Sequence, residues 1–255
     1  MFFSWLASVL AVGGLASLLL VEPADFGNGF HRFTGALAAV LLAAGLAGGA
    51  LRGAAGWAAL GACAGWVFLV HWGRVSWIRA ALPVPVLLSG WALLAGTPYA
   101  PRVPLLQLDA WVTPCNALAA ALLLGAVSLA MLLGHWYLVI PGLPMRHLRR
   151  MTGFLAICIA VRLGLGAASL ASSEPVEALG SVTVWQVAGS IAAFFFWQRV
   201  GIGLVIPAIL AFLVARTVRI SSTQSATGLL YVTMIFVLIG ELISRYLFLT
   251  LGIPQ

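Results

Sequence analysis

At 255 residues, 63% of them hydrophobic and only 7% charged, with mean hydropathy +1.11, this chain cannot cover a water-facing surface. A soluble domain carries about 25% charged residues. The net charge of +7 comes from arginine alone, since lysine is absent. Those arginines fall mostly in short loops between apolar runs, where they orient a chain in a bilayer, and this excludes nucleic acid as a partner.

The composition predicts an all-α, polytopic integral membrane helix bundle with about eight transmembrane helices, forming one domain over residues 1–255. A span needs about 20 apolar residues at a rise of about 1.5 Å each. In chain order the qualifying segments are 1–21, 33–51, 57–75, 80–97, 112–140, 152–171, 194–215 and 226–251. The first has neither a basic leader nor a small-residue cleavage site, so it reads as a spanning helix rather than a signal peptide. Turn chemistry separates the segments: Glu22-Pro23-Ala24-Asp25, Arg52-Gly53, Thr97 to Pro104, Pro141 to Pro144, and Ser172 to Pro175. The stretch from Val184 to Ile220 is too long for one upright helix. Residues 182–193 therefore read as a short interfacial segment feeding the seventh span, which Pro207 is placed to kink.

Alternating the loops puts Arg32, Arg74, Arg79, Arg146, Arg149, Arg150, Arg216 and Arg219 on one side. Arg52 and Arg102 fall on the other, with Asp109, Glu174 and Glu177. The positive-inside rule makes the first side cytoplasmic, with both termini outside, and the expected location is the bacterial inner membrane. Trp57, Trp72, Trp77, Trp111, Trp136 and Trp185 fall near span ends, as an aromatic belt requires. Gly45 and Gly49 have the spacing that lets two helices approach closely. Cys63, Cys115 and Cys158 share no metal or redox spacing and read as small packing residues.

Charges inside a membrane are expensive and therefore point to function. Arg162 lies in the sixth span, and Glu241 and Arg245 lie in the eighth. The latter two are four apart and share a helix face, so they can pair. Gln198 and Arg199 enter the seventh span at a similar depth, and the group forms a candidate polar pocket near the outer face. The structural alternative is a salt bridge that pins the last two helices. Histidine gives a second grouping: His31, His71, His135 and His147 all fall toward the cytoplasmic side. His71 and His135, the latter followed by Trp136 and Tyr137, sit at matched depth inside spans. Two such imidazoles on facing helices would suit one haem b, or a quinone pocket with a histidine donor. The alternative is interfacial histidines bonded to headgroups or backbone. Residues Arg216 to Gly228 concentrate hydroxyls and arginines, with Ser225 or Thr227 placed to cap the last span. Phosphate-loop, zinc-protease, Asp-rich prenyltransferase and Ser-hydrolase motifs are all absent.

An eight-span bundle with Glu241, Arg245 and Arg199 grouped near the outer face resembles the quinol-interacting membrane anchors of the polysulfide- and dimethyl-sulfoxide-reductase type. The resemblance covers architecture and this grouping only. It implies a membrane subunit of an electron-transport complex that binds quinone or haem and works with other redox or membrane subunits in the lipid bilayer. A small-molecule or ion carrier, or a structural subunit without chemistry of its own, is the alternative. Pro83, Pro85 and Pro207 give a faint version of the broken helices that carriers use.

Overall fold

The computed structural model describes residues 2–73, 75–96, 108–140, 142–171 and 193–251. These form helices α1 (Phe2–Leu18), α2 (Pro23–Ala47), α3 (Gly53–Trp72), α4 (Val75–Ala81), α5 (Pro83–Gly96), α6 (Leu108–Val139), α7 (Arg146–Ala171), α8 (Ala193–Val200), α9 (Ile206–Arg219) and α10 (Thr223–Leu251). A single π-helical turn, Gly201–Val205, joins α8 to α9. There is no strand among the described residues. Seven helical stretches are long and apolar enough to cross a membrane, with α4–α5 and α8–α9 each counting as one, and α1 is a shorter apolar helix. The chain is an integral membrane helix bundle, as the composition demands.

Helix α6 is the hub. It packs against α1, α7 and α10, while α2, α3 and α5 continue the bundle beyond α1 and α9 lies against α10 and α7. Of its apolar window 67% is buried inside the protein, against 39% or less for the other spans. The rest of those helices face outward with Phe, Leu, Ile and Val, the surface that hydrocarbon solvates. Where α1 crosses α6 the backbones nearly touch. A Cβ on Gly13 would fall 1.6 Å from the Ala121 carbonyl oxygen, and one on Gly125 would fall 1.9 Å from Gly13 backbone. Only glycine permits that approach. Gly45 serves the same purpose against Ser8 of α1, whereas Gly49 lies past the end of α2 with φ +73.

Several helix starts differ from expectation toward longer helices, at both ends of the bundle: α3 begins at Gly53 rather than 57 and α6 at Leu108 rather than 112. Helix α2 begins at Pro23 rather than 33, with a first turn set off from the rest by a kink at Gly27 (φ 61, ψ −175); Glu22 is its N-cap residue and proline suits the first turn. Helix α7 begins at Arg146 rather than 152. The polar residues of both first turns satisfy each other. Arg146 donates to Asp25 and, at 3.4 Å, to Glu22; Arg150 donates to Glu22 at 3.1 Å; and the buried His147 bonds Asp25. The Arg150 guanidinium that donates to Glu22 holds its carboxyl below the ordinary range, with Arg146 and Arg79 adding to the effect. The last span begins at Thr223, after Ser221 turns the chain with φ 59. Neither Ser225 nor Thr227 caps it: Ser225 is paired with Ser222, and Thr227 donates back to the Thr223 carbonyl. Trp57, Trp72 and Trp77 are exposed, as belt residues should be. Arg74, Arg102, Glu174, Glu177, Trp185 and segment 182–192 lie outside the described residues, as do the side chains of Asp109 and Trp111.

Candidate functional site

The site begins with a proline. Pro207 has no N–H, so the carbonyl four residues earlier, that of Gly203, loses its helical partner. The chain answers with the π-turn, in which the Ile206 N–H reaches back to Gly201. The released Gly203 carbonyl accepts a bond from Nη1 of Arg199 at 3.3 Å. The expected kink at Pro207 thus takes the form of a π-turn just before it, and that turn helps fix the arginine. Opposite it, α10 presents Gly240, and a Cβ on either Gly203 or Gly240 would lie within 2.6 Å of the other's Cα. This contact brings Arg199 against the neighbour of Gly240, which is Glu241.

Glu241 is fully buried, 0% exposed, and Arg162 and Arg199 are 1% and 2% exposed. Arg162 grips the carboxylate as a fork, Nε to Oε1 at 3.0 Å and Nη2 to Oε2 at 2.7 Å. Arg199 donates from Nη2 to Oε1 at 3.0 Å. Arg162 extends the network to Asn116 on α6, with Nη1 to Oδ1 at 2.6 Å, and to the Ser244 hydroxyl at 3.3 Å. Four helices, α6, α7, α8 and α10, therefore meet in one polar layer. Arg162 lies sixteen residues beyond Arg146 (162 − 146) and Glu241 eighteen beyond Thr223 (241 − 223). At about 1.5 Å per residue, both sit roughly 25 Å from the arginine-rich end.

Of the residues singled out from sequence, the structure brings Glu241, Arg199 and Arg162 together. The i+4 neighbour Arg245 takes another direction, its guanidinium over the Trp5 ring of α1, 4.9 Å from the centroid. The expected i+4 pair is replaced by partners that long-range packing brings from other helices, Arg162 and Arg199. Gln198 is half-buried on α8 and takes no part in the Glu241 hydrogen bonds.

The histidine grouping separates. His71 is exposed at the end of α3, bonded to its own Val67 carbonyl at 3.2 Å, and its backbone carbonyl receives Arg32 of α2 at 3.0 Å. His135 is exposed on α6 and faces the Tyr231 hydroxyl of α10 at 3.4 Å. Helix α3 packs on α2, α4 and α5, whereas α6 packs mainly on α1, α7 and α10 and more lightly on α5, and the two imidazoles bond partners on different helices. Tyr137 bonds the Pro144 carbonyl and packs edge-on against Phe26, at the arginine-rich end and away from the Glu241 layer. Two participants went unnoticed at the level of sequence: Asn116, an amide inside an apolar span, and Ser244, one turn beyond Glu241. An amide in hydrocarbon is itself a signal, of the same kind as the charges.

Beside the layer lies a cavity of about 190 Å³, lined by Arg162, Leu163, Gly166, Ala167, Phe196, Arg199, Val200 and Leu204. Its polar wall is the arginine pair, and the remainder is apolar. The Nε of Arg199 is buried without an acceptor. Glu241, already accepting three arginine bonds, is a poor proton acceptor: protonating it would strand two buried cations. No group of His, Cys, Asp and Glu among the described residues could hold a metal ion. A second crevice, about 230 Å³ and almost wholly apolar, runs between α1, α2, α6 and α10. No protein-family model, curated protein or solved structure matches this chain.

Proposed function

We propose that this protein binds the polar head of an amphipathic small molecule within the bilayer, in the cavity beside Arg162 and Arg199, and acts there as a carrier or receptor. The observation that carries the reading is a buried arginine wall facing an otherwise apolar chamber, with one guanidinium nitrogen still lacking an acceptor. Buried donors without partners are costly and uncommon. A chamber that offers hydrogen bonds at one wall and hydrocarbon at the others suits a ligand with a polar head and an apolar body. The π-turn supports carriage, because interrupted helices at membrane depth are the usual means by which carriers expose backbone to a substrate.

A quinone- or quinol-interacting subunit of an electron-transport complex, partnered by other redox subunits, is the second reading. It is favoured by the same donor pair, since a quinone carbonyl accepts hydrogen bonds. Oxidising a quinol also needs a proton acceptor, and the saturated Glu241 carboxylate serves that poorly. The haem version draws no support from His71 and His135, which face different helices.

Photo-crosslinking of the full chain in lipid nanodiscs tests the reading. A short-tailed amphiphile bearing a photoreactive group should label α7 around Gly166 and α8 around Phe196. Labelling spread evenly over the lipid-facing surface, unaffected by unlabelled competitor, would overturn it.

A further inference from the structure

Charge balance in the Glu241 layer bears on the chemistry of the ligand. Resting on the reading that the cavity holds a polar head, we infer that this head is anionic: an oxyacid group, carboxylate or phosphate ester, on an apolar stem. Arginine does not give up its proton in proteins. Two guanidinium groups therefore meet one carboxylate, and the buried layer carries one excess positive charge. Among the described residues, Glu241 is the only acid bonded to either arginine. Asn116, Ser244 and the Gly203 carbonyl complete the network as neutral acceptors. An unbalanced charge in hydrocarbon is expensive, and one anion in the adjoining cavity cancels it.

The donor geometry agrees with the charge count. Arg162 uses Nε, Nη1 and Nη2 in bonds to protein. Arg199 uses both terminal nitrogens, but its Nε has no acceptor. Arg199 thus retains one N–H without an acceptor, that of Nε, beside nitrogens already shared with Glu241 and Gly203. Size narrows the stem. An engineered cavity of about 150 Å³ takes benzene, so a chamber of about 190 Å³ holds a head with a ring-sized or short-chain apolar group attached. Leu163, Phe196, Val200 and Leu204 surround that part with hydrocarbon.

Titration calorimetry of the full chain in phosphatidylcholine nanodiscs tests this, with benzoate, decanoate and octyl phosphate as probes. Benzamide and decanol are the neutral controls. The acids should bind at least tenfold more tightly than the neutral probes, and the ranking of octyl phosphate against decanoate identifies the source of the oxyacid. Arg199→Gln should remove the preference. Because that variant also removes a hydrogen-bond donor from Glu241 and from the Gly203 carbonyl, Gly166→Leu serves beside it. A Cβ on Gly166 meets nothing within 4 Å, so leucine there fills the cavity and leaves every charge in place. It should fold normally and lose binding of all probes. Equal affinity for acids and neutral probes, with binding still lost in Gly166→Leu, overturns the anionic head and leaves the site standing. Undiminished binding in Gly166→Leu overturns both.

Discussion

Arg162 of α7 holds Glu241 of α10 through two parallel hydrogen bonds, at 3.0 and 2.7 Å, across 79 residues of sequence. The pair closes the α6–α7–α10 side of the bundle, and Arg199 joins it from the helix that Pro207 interrupts.

Removing the carboxylate should therefore be severe. Glu241→Gln leaves two guanidinium groups buried within reach of one neutral amide, and breaking a buried pair in this way costs about 3–5 kcal/mol. Thermal unfolding of the purified protein should show a large drop in Tm. An unchanged Tm would mean that the layer is hydrated or already neutralised.

Neighbouring glycines of α1 should respond in opposite ways. Gly13→Ala drives a methyl into the backbone of α6, 1.6 Å from a carbonyl oxygen that cannot move alone. Overpacking of this kind costs about 1–3 kcal/mol or more. Gly14→Ala meets open space and gains helix propensity, so it should be neutral or slightly stabilising. Unfolding in graded denaturing detergent compares the two, and equal effects would contradict the close α1–α6 crossing.

At the arginine-rich end, Glu22 supplies a pH dependence whose sign is fixed. Its carboxyl lies below the ordinary 4.5 in the folded protein. The stabilisation is therefore present above that ordinary value and is lost as pH falls through the lower folded value. Glu22→Gln should flatten the acid limb of a Tm-against-pH curve and leave the neutral region nearly unchanged, since exposed ion pairs contribute little. High salt should mimic the substitution.

Orientation follows from the arginine distribution, with the arginine-rich end expected in the cytoplasm and both termini outside. Reporter fusions after Arg150 and after Gln255 should report opposite sides of the membrane. The same side for both would reverse part of the topology.

Fold class was legible from composition, because a chain with 7% charged residues has only one solvent in which it can hide its apolar surface. Glu241, Arg162 and Arg199 were visible as candidates for the same reason: each is a charge where hydrocarbon tolerates none unpaired. Their partnership was not visible. Local spacing offered Arg245 to Glu241 at i+4, whereas tertiary packing delivered Arg162 from another helix and Arg199 from the far side of a π-turn. Pairing strength depends on burial and geometry, and sequence distance reports neither. Histidine gave the converse. His71 and His135 were expected at one depth from residue counting, but their hydrogen-bond partners lie on different helices, Val67 of α3 and Tyr231 of α10. Depth is fixed by counting residues at 1.5 Å each. The direction a side chain faces is fixed by which helices touch, and that was decided by glycine contacts such as Gly13 with Gly125 and Gly203 with Gly240, which no periodicity announces.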